Sequence, residues 1–425
     1  MKPVARKLVT ALVAALLLVA LAATLVGVAF YFTLRAAPGE WSERVAIGPL
    51  QVELGVLPLI RVATHPLGMR ALSGRSWNAP IGRLDFLADS EGDSLRIVCA
   101  ACSVDAPALT REKLQLPRIE WTVLRAGAND LHGAMTIGTL SSAWRARLRA
   151  RDLDLDLTLA DAPVDAVYAI FRDEIPELTR ARIDGRVNAE IHLALPSRRF
   201  TVKPHLEGFV VSGLGTEAVL GATPLPACAL PTRRADATTP FGMWMPKAVV
   251  AAEDQRFFEH PGYDLVEMTA AWAADPAHAQ GPRDAGTLSQ QLAKLLYTGD
   301  ERTLARKLRE LLYAVELDRT FGKPRVLMLY LSIAPWGDGV CGAQAASLRH
   351  FGKRASALGP LDAAWLASLL RNPDAELRRA AQSHAPDFPR MRAILAGMHP
   401  LPRSRRAALA EELQDWTPPV PRPTQ

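Results

Sequence analysis

Three patterns of apolar and polar positions succeed one another along the chain. Residues 8–34 (LVTALVAALLLVALAATLVGVAFYFTL) form an almost unbroken apolar run, and about 20 such residues suffice to cross a hydrocarbon core. Lys2, Arg6 and Lys7 precede the run, so the positive-inside rule sets the N-terminus in the cytoplasm and the rest of the chain outside. Tyr31 and Phe32 would then lie at the outer interface. A cleaved signal peptide is the other reading. Its apolar core spans only about 7–15 residues, which favours a retained transmembrane helix within residues 1–40.

From about 41 to 217 the period is two. Leu153, Leu155, Leu157 and Leu159 alternate with Asp154, Asp156 and Thr158. Ile183, Val187, Ile191, Leu193 and Leu195 share one face, with Asp184, Arg186, Asn188, Glu190 and His192 on the other. Such alternation predicts strands with one buried face, here one antiparallel β-rich domain interrupted by short helical pieces such as PVDAVYAIF at 163–171. The polar, Pro-rich stretch 218–240 reads as a linker. Beyond it, PKAVVAAEDQRFF, TLSQQLAKLLY, TLARKLRELLYAVELDRTF, PRVLMLYLSI and LDAAWLASLLR carry helical spacing and good helix formers. A helical domain is expected over 241–400, followed by a C-terminal tail, 401–425. The fold class is therefore α+β and multidomain.

Composition narrows the function only a little. Lys and Arg exceed Asp and Glu by 50 to 44, a net charge of +6. That mild excess suits an acidic surface or substrate and does not argue for nucleic acid. Four cysteines are too few for a disulfide-dense scaffold. Cys99 and Cys102 form C-A-A-C without a thioredoxin pattern around them, and a structural disulfide is expected there. Cys228 and Cys341 could also pair.

Candidate chemistry lies in four polar clusters of the helical region. They are E-D-Q-R-F-F-E-H-P-G (253–262), G-T-L-S-Q-Q-L-A-K (286–294), E-R-T-L-A-R-K-L-R-E (301–310) and A-A-S-L-R-H-F-G-K (345–353). In the third, Arg306, Lys307 and Glu310 are spaced i,i+3 and i,i+4, so they can share a helix face; a solvated helix surface has the same look. In the first, Glu253 and Asp254 follow the apolar stretch AVVAA. A carboxylate beside an apolar wall can have a raised pKa and serve as an acid or base; a plain helix-end carboxylate is the alternative. His260 has no metal-ligand company and reads as a hydrogen-bonded structural residue.

Together, in order and content, these clusters resemble the peptidoglycan glycosyltransferases of glycosyltransferase family 51. Glu253, Asp254, Phe257, His260 and Gly262 match the family's E-D-x-x-F-x-x-H-x-G. Thr287, Gln290, Gln291 and Lys294 match positions of G-x-S-T-I-T-Q-Q-x-x-K. Arg306, Lys307 and Glu310 match R-K-x-x-E, and 345–353 approximates A-A-x-x-Y-F-G-K. The resemblance covers roughly 240–375.

The resemblance implies a helical, lysozyme-like domain that polymerises lipid II, joining it to a growing glycan chain through β-1,4 bonds and releasing undecaprenyl pyrophosphate. Glu253 would be the general base. Glu310 would assist on the leaving-group side, directly or through a divalent cation, Mg2+ or Mn2+. Lys294, Arg306 and Lys307 would hold the pyrophosphate. Asp254, Phe257, His260, Thr287, Gln290 and Gln291 would complete the substrate cleft. No organic cofactor is implied, and no metal ligands are assigned. The location implied is a bacterial inner membrane crossed once, with both domains periplasmic and cell-wall synthesis proteins as possible partners.

The chain departs from the family pattern at Gly286 (Ser), Leu288-Ser289 (Ile-Thr), Met328 (Glu) and Ser332 (Asn). Those departures motivate an alternative, a catalytically weak envelope scaffold that binds lipid-linked precursor or partner proteins. A lytic enzyme on the same fold is a third reading, but it does not need the basic set. No Ser-x-x-Lys or Lys-Thr-Gly occurs, so a monofunctional glycosyltransferase is implied. The β-rich segment bears a weaker resemblance to AsmA-like envelope domains, through R-I-D-G-R-V-N-A-E-I-H-L-A-L-P; its role is left open between docking and a spacer.

Overall fold

The computed structural model of the 425-residue chain describes residues 39–47, 50–79, 81–104, 113–116, 118–197, 199–221, 240–274, 286–301, 303–383 and 385–417, together with 21, 25, 27, 28 and 32–36. Most of the apolar run at 8–34, most of the expected linker, Cys228 and the last residues of the tail lie outside these. Among the described residues no helix is long and apolar enough to cross a membrane.

The chain forms two compact units whose boundaries run through the β-rich segment. One comprises residues 1–104, 115–160 and 188–203; the other comprises 105–114, 161–187 and 204–425. The long strands β12 (Arg182–Leu195) and β13 (Arg199–Ser212) are shared out between them.

In the first unit the alternating pattern folds as antiparallel strands. They are β3 (Ser76–Ala79), β4 (Gly82–Ala88), β5 (Ser94–Cys99), β8 (Ile119–Arg125), β9 (Asp130–Ile137), β10 (Leu140–Leu148) and β11 (Leu153–Pro163). Nine strands of the described residues form one sheet in the order β13-β12-β11-β10-β9-β8-β5-β4-β3. The remaining strands pair in twos: β1 (Ser42–Ile47) with β2 (Leu50–Gly55), and β6 (Cys102–Val104) with β7 (Leu114–Leu116).

Two short helices, α1 (Val56–Ala63) and α2 (Pro66–Leu72), cover the apolar face of the sheet. Leu57 and Met69 from them join Leu95, Val123, Leu131, Trp144, Ala146 and Leu148 in one core, with Leu153, Leu155 and Leu157 packed against it. The period of two thus sends those leucines inward and leaves Asp154 and Asp156 on the polar face, where Arg149 and His192 pair with them. Gly133 is demanded by close approach: a Cβ there would sit 1.8 Å from the Thr122 carbonyl oxygen, the acceptor of the Trp144 indole N–H. Cys99 and Cys102 are joined in a disulfide, as their spacing predicts.

The second unit is largely helical. Its members are α3 (Val164–Ala169), α4 (Trp244–Glu253), α5 (Leu265–Ala274), α6 (Leu288–Ala293), α7 (Leu304–Ile333), α8 (Ala343–Phe351), α9 (Pro360–Leu369), α10 (Pro373–Ser383), α11 (Phe388–Gly397) and α12 (Arg403–Glu412). The long α7 is broken at Gly322, whose φ of 72° and ψ of 158° are non-helical, one residue before Lys323-Pro324. α6 runs on into a π-helical turn, Lys294–Thr298. Cys341 is buried and is not free.

Candidate active site

The site grows from the place where α4 stops. The helix carries apolar residues into the core (Met245, Ala248, Val249 and Ala251 are buried) and ends on Glu253. The next residue, Asp254, has φ −161° and ψ 80°, outside helical space. Its carboxylate is wholly buried and cannot stay unpaired. It accepts the Leu288 backbone N–H at 3.0 Å and faces His260 Nε2 at 3.0 Å. Asp254 therefore ties the turn after α4 to the start of α6. Arg256 and Asp264 pair within the same turn, and Asp264 also accepts the N–H groups of Val266 and Glu267 at the start of α5.

The start of α6 is a capping box. Thr287 Oγ1 accepts the Gln290 N–H at 3.2 Å, and Gln290 Oε1 accepts the Thr287 N–H at 3.1 Å, which satisfies two donors that a helix start leaves open. The Thr287 hydroxyl also donates to the Gly262 carbonyl at 2.6 Å. Gly262 has φ +82°, and a Cβ there would lie 2.7 Å from the Ala314 carbonyl oxygen on α7. So the first and second motifs and α7 are pressed together at a point only glycine fits.

These contacts sort the sequence-predicted residues. Asp254, Phe257, Thr287 and Gln290 are buried and hold the site together from within. Phe257 packs edge-on to Phe258 and takes the Lys323 ammonium over its ring at 4.3 Å. His260 stands between Asp254 and Lys323, whose Nζ lies 3.3 Å from His260 Nδ1. Lys323 also pairs with Asp318 at 2.6 Å, and Asp318 accepts the Ser289 hydroxyl at 2.7 Å. Ser289 thus supplies the hydroxyl of the Thr it replaces.

Glu253 is different. Its side chain is 12% exposed, with Oε1 at 3.0 Å from Arg390 Nη2 and Oε2 accepting the Gln291 amide at 3.1 Å. Burial pushes its pKa up; the Gln291 hydrogen bond and the Arg390 charge pull it down, and the net direction is upward. Gln291 is itself fixed, since its Oε1 accepts the buried Tyr330 hydroxyl at 2.7 Å. The Gln291 amide also reaches the Gly286 carbonyl at 3.4 Å. The Lys307 ammonium stands 3.7 Å from where a Gly286 Cβ would be.

Lys307 leads to the third motif. Glu310, 1% exposed, faces Arg306 with Oε1 and Lys307 with Oε2, the latter at 2.9 Å. Lys294 begins the π-helical turn, where its ammonium pairs with Asp300 at 2.9 Å. The fourth cluster contributes packing. His350 is buried edge-on to Trp365, and burial pushes its pKa down to about 4. Among the described residues no three His, Cys, Asp or Glu side chains gather as a metal site. Both Glu310 oxygens already face cations. The donor set among the described residues therefore does not fit a divalent cation.

Arg390 escaped the sequence reading. It lies 137 positions from Glu253, in P-R-M-R, with no local pattern to mark it. α11 presents it because Asp387 caps that helix through the Arg390 N–H, and its Nε donates to the Ser368 carbonyl at 3.1 Å. Tyr330 lies in the helical stretch PRVLMLYLSI, and Lys323 falls between the two helical stretches on either side of it.

Residues 233–399 match the sequence model of the transglycosylase family. Over those residues the chain is similar to transglycosylases. Similar curated proteins are biosynthetic peptidoglycan transglycosylases. The one from Nitrosomonas eutropha is 42% identical over 127 residues, 30% of this chain and 52% of that protein. The one from Citrobacter koseri is 46% identical over 138 residues, 32% of this chain and 56% of that protein. The one from Escherichia coli O1:K1 is 44% identical over 130 residues, 31% of this chain and 54% of that protein. The chain spans about half the length of these relatives. In the matched region, Glu253 is the first-motif carboxylate that stays at the edge of solvent, while Asp254 beside it is sealed in.

Proposed function

We propose that this protein is a peptidoglycan glycosyltransferase that polymerises lipid II into β-1,4 glycan strands. The observation that carries the reading is the Gln291 amide, which touches Glu253 and the carbonyl of Gly286, a residue whose Cβ position lies 3.7 Å from the Lys307 ammonium. A raised-pKa carboxylate and a cationic helix face thereby adjoin one another, the two needs of transfer from a lipid pyrophosphate.

Glu253 takes the proton of the acceptor sugar 4-hydroxyl. The freed oxygen pair forms the new bond to the anomeric carbon of the growing glycan as the C1–O bond to undecaprenyl pyrophosphate breaks. Attack from the opposite face turns the α linkage into a β linkage. Charge grows on the departing pyrophosphate, where Lys294, Arg306 and Lys307 offset it by charge-assisted contacts. Glu310 seats Arg306 and Lys307. Tyr330 aligns Gln291, and Gln291 aligns Glu253. Because the substrate is lipid-linked, the apolar run at 8–34 is assigned as a single membrane anchor, with the N-terminus cytoplasmic and the catalytic domain outside.

The test is incubation of the purified protein with labelled lipid II, separating polymer from fragments on a gel. Wild type is expected to form polymer. Glu253→Gln keeps the shape but cannot take the proton, and should lose about 10²–10⁴-fold in rate, the worth of a positioned general base. Glu310→Gln should also be severe. No polymer from wild type, where a standard glycosyltransferase makes it, would leave the binding scaffold as the reading. Fragments in place of polymer would point to a lytic enzyme.

A further inference from the structure

The second unit contains segments that lie before the transglycosylase match, which begins at residue 233. Residues 161–187 and 204–221 belong to it, and their contacts fall on the elements that carry the three motifs. On α7, Arg309 forms a fork with Glu177: Nε lies 3.0 and 2.9 Å from the two carboxylate oxygens, and Nη2 lies 2.6 Å from Oε1. The Tyr313 hydroxyl reaches the same carboxylate at 3.3 Å and accepts from Arg180 at 3.2 Å. The Tyr168 hydroxyl donates to the Leu308 carbonyl at 3.2 Å. One turn further on, Glu316 accepts the N–H groups of Leu214 and Thr216 and the Thr216 hydroxyl, at 2.9–3.3 Å.

Two ring contacts carry the segments to the other motifs. Tyr313 stacks on Tyr297, with centroids 4.1 Å apart and planes 6° from parallel; Tyr297 lies in the π-helical turn that Lys294 begins. Phe209 packs on Tyr263, beside Gly262, at 5.6 Å. Along α7, residues 309, 313 and 316 form a stripe adjoining the one that bears Arg306, Lys307 and Glu310.

We propose that residues 164–180 and 214–216 form a positioning strap for the anion-binding side of the transfer site, with Glu177 as its central positioning residue. This rests on the glycosyltransferase reading. Glu177 fixes Arg309 and Tyr313; Arg309 fixes the rotation of α7, and Tyr313 fixes the turn bearing Lys294. The strap touches no substrate. It sets the spacing between Lys294 and the Arg306–Lys307 pair, which must match the span of a pyrophosphate. Buried Glu177 is 5% exposed, so the fork is screened little by salt.

The full chain in detergent is the test material, with two readouts: KM and kcat for lipid II, and the Kd for undecaprenyl pyrophosphate in detergent micelles. Glu177→Gln and Arg309→Gln should each raise KM and Kd about tenfold, a usual size for coupling between a remote contact and a site. kcat should change much less, and Glu177→Asp should recover part of the loss. The double variant Glu177→Gln/Arg309→Gln should be no worse than either single, because the two side chains act as one unit. It also leaves no charge buried alone, so it decides the matter if a single variant does not fold. A folded double variant with wild-type KM and Kd overturns the strap. Wild type that binds the lipid pyrophosphate but makes no polymer overturns the transfer reading, while the Kd comparison still judges the strap. Wild type that binds none overturns both.

Discussion

On the proposed glycosyltransferase reading, Arg390→Met should shift activity to higher pH. The guanidinium lies 3.0 Å from Glu253 Oε1, and both side chains are mostly buried, 21% and 12% exposed. At about 4 Å and an effective dielectric constant near 20, opposite unit charges attract by about 4 kcal/mol. That is of the same order as the several kcal/mol it costs to bury an ion, so Arg390 is a main counterweight to the burial of Glu253. Methionine keeps the bulk and removes the charge. Arg390 favours the ionised form of Glu253, so its loss raises the pKa further and moves the acid limb of the rate profile to higher pH. Losing only a third of the attraction, about 1.4 kcal/mol, already corresponds to tenfold in rate. The assay is initial rate of polymer formation across pH for wild type, Arg390→Met and Glu253→Gln. Arg390→Met should lose about tenfold on the acid side of the profile and regain activity as pH rises; Glu253→Gln should stay inactive throughout. An equal loss at every pH would make Arg390 a packing residue and refute the reasoning.

Two substitutions test the geometry of the motifs. Gly286→Ser should keep activity within about threefold and leave the melting temperature unchanged, because a Cβ there meets Gln290 and Lys307 only at 3.6–3.7 Å, ordinary contact distances; a collapse of activity would show that the glycine is needed. Gly262→Ala should destabilise the domain by about 1–3 kcal/mol, since it combines φ +82° with a Cβ 2.7 Å from the Ala314 carbonyl oxygen; an unchanged denaturation midpoint would sink that account.

Much of the architecture was legible because burial imposes periods. Leu153, Leu155 and Leu157 had to face one way on a pleated strand, and they do. AVVAA had to pack as a helix, and α4 ends on the carboxylate expected to carry chemistry. What the pattern could not convey was which strands and turns belong with which core. Segment 161–187, helical piece included, falls within the stretch 41–217 that reads as one β-rich domain, yet Tyr168 and Glu177 pack on α7. A period of two says that one face is buried and not what covers it. Likewise the motif spacing identified Glu253 and the basic set, but Arg390 is a lone arginine whose relevance depends on the fold bringing α11 to α4. Asp254, Phe257 and His260 read as cleft residues because they share a motif with Glu253; the structure turns them inward, where they fix the turn that aims it.

That inward turn explains how one of two adjacent carboxylates can serve as a base. Asp254 has its capacity filled by the Leu288 N–H and His260, a network continued by Lys323, Asp318 and Ser289 across the break at Gly322. A carboxylate so held and sealed from solvent is fixed in place and cannot be reached by an acceptor sugar. Glu253 is the last residue of a helix, where the negative end of the macrodipole disfavours its charge, and burial adds to that. Arg390 and Gln291 act in the opposite sense, from helices distant in sequence. A carboxylate caught between opposing influences can change protonation with modest cost in either direction, which is what the general base of the proposed transfer must do once per bond formed. Two carboxylates one residue apart are thus driven to different ends, one to hold the turn and one to exchange a proton.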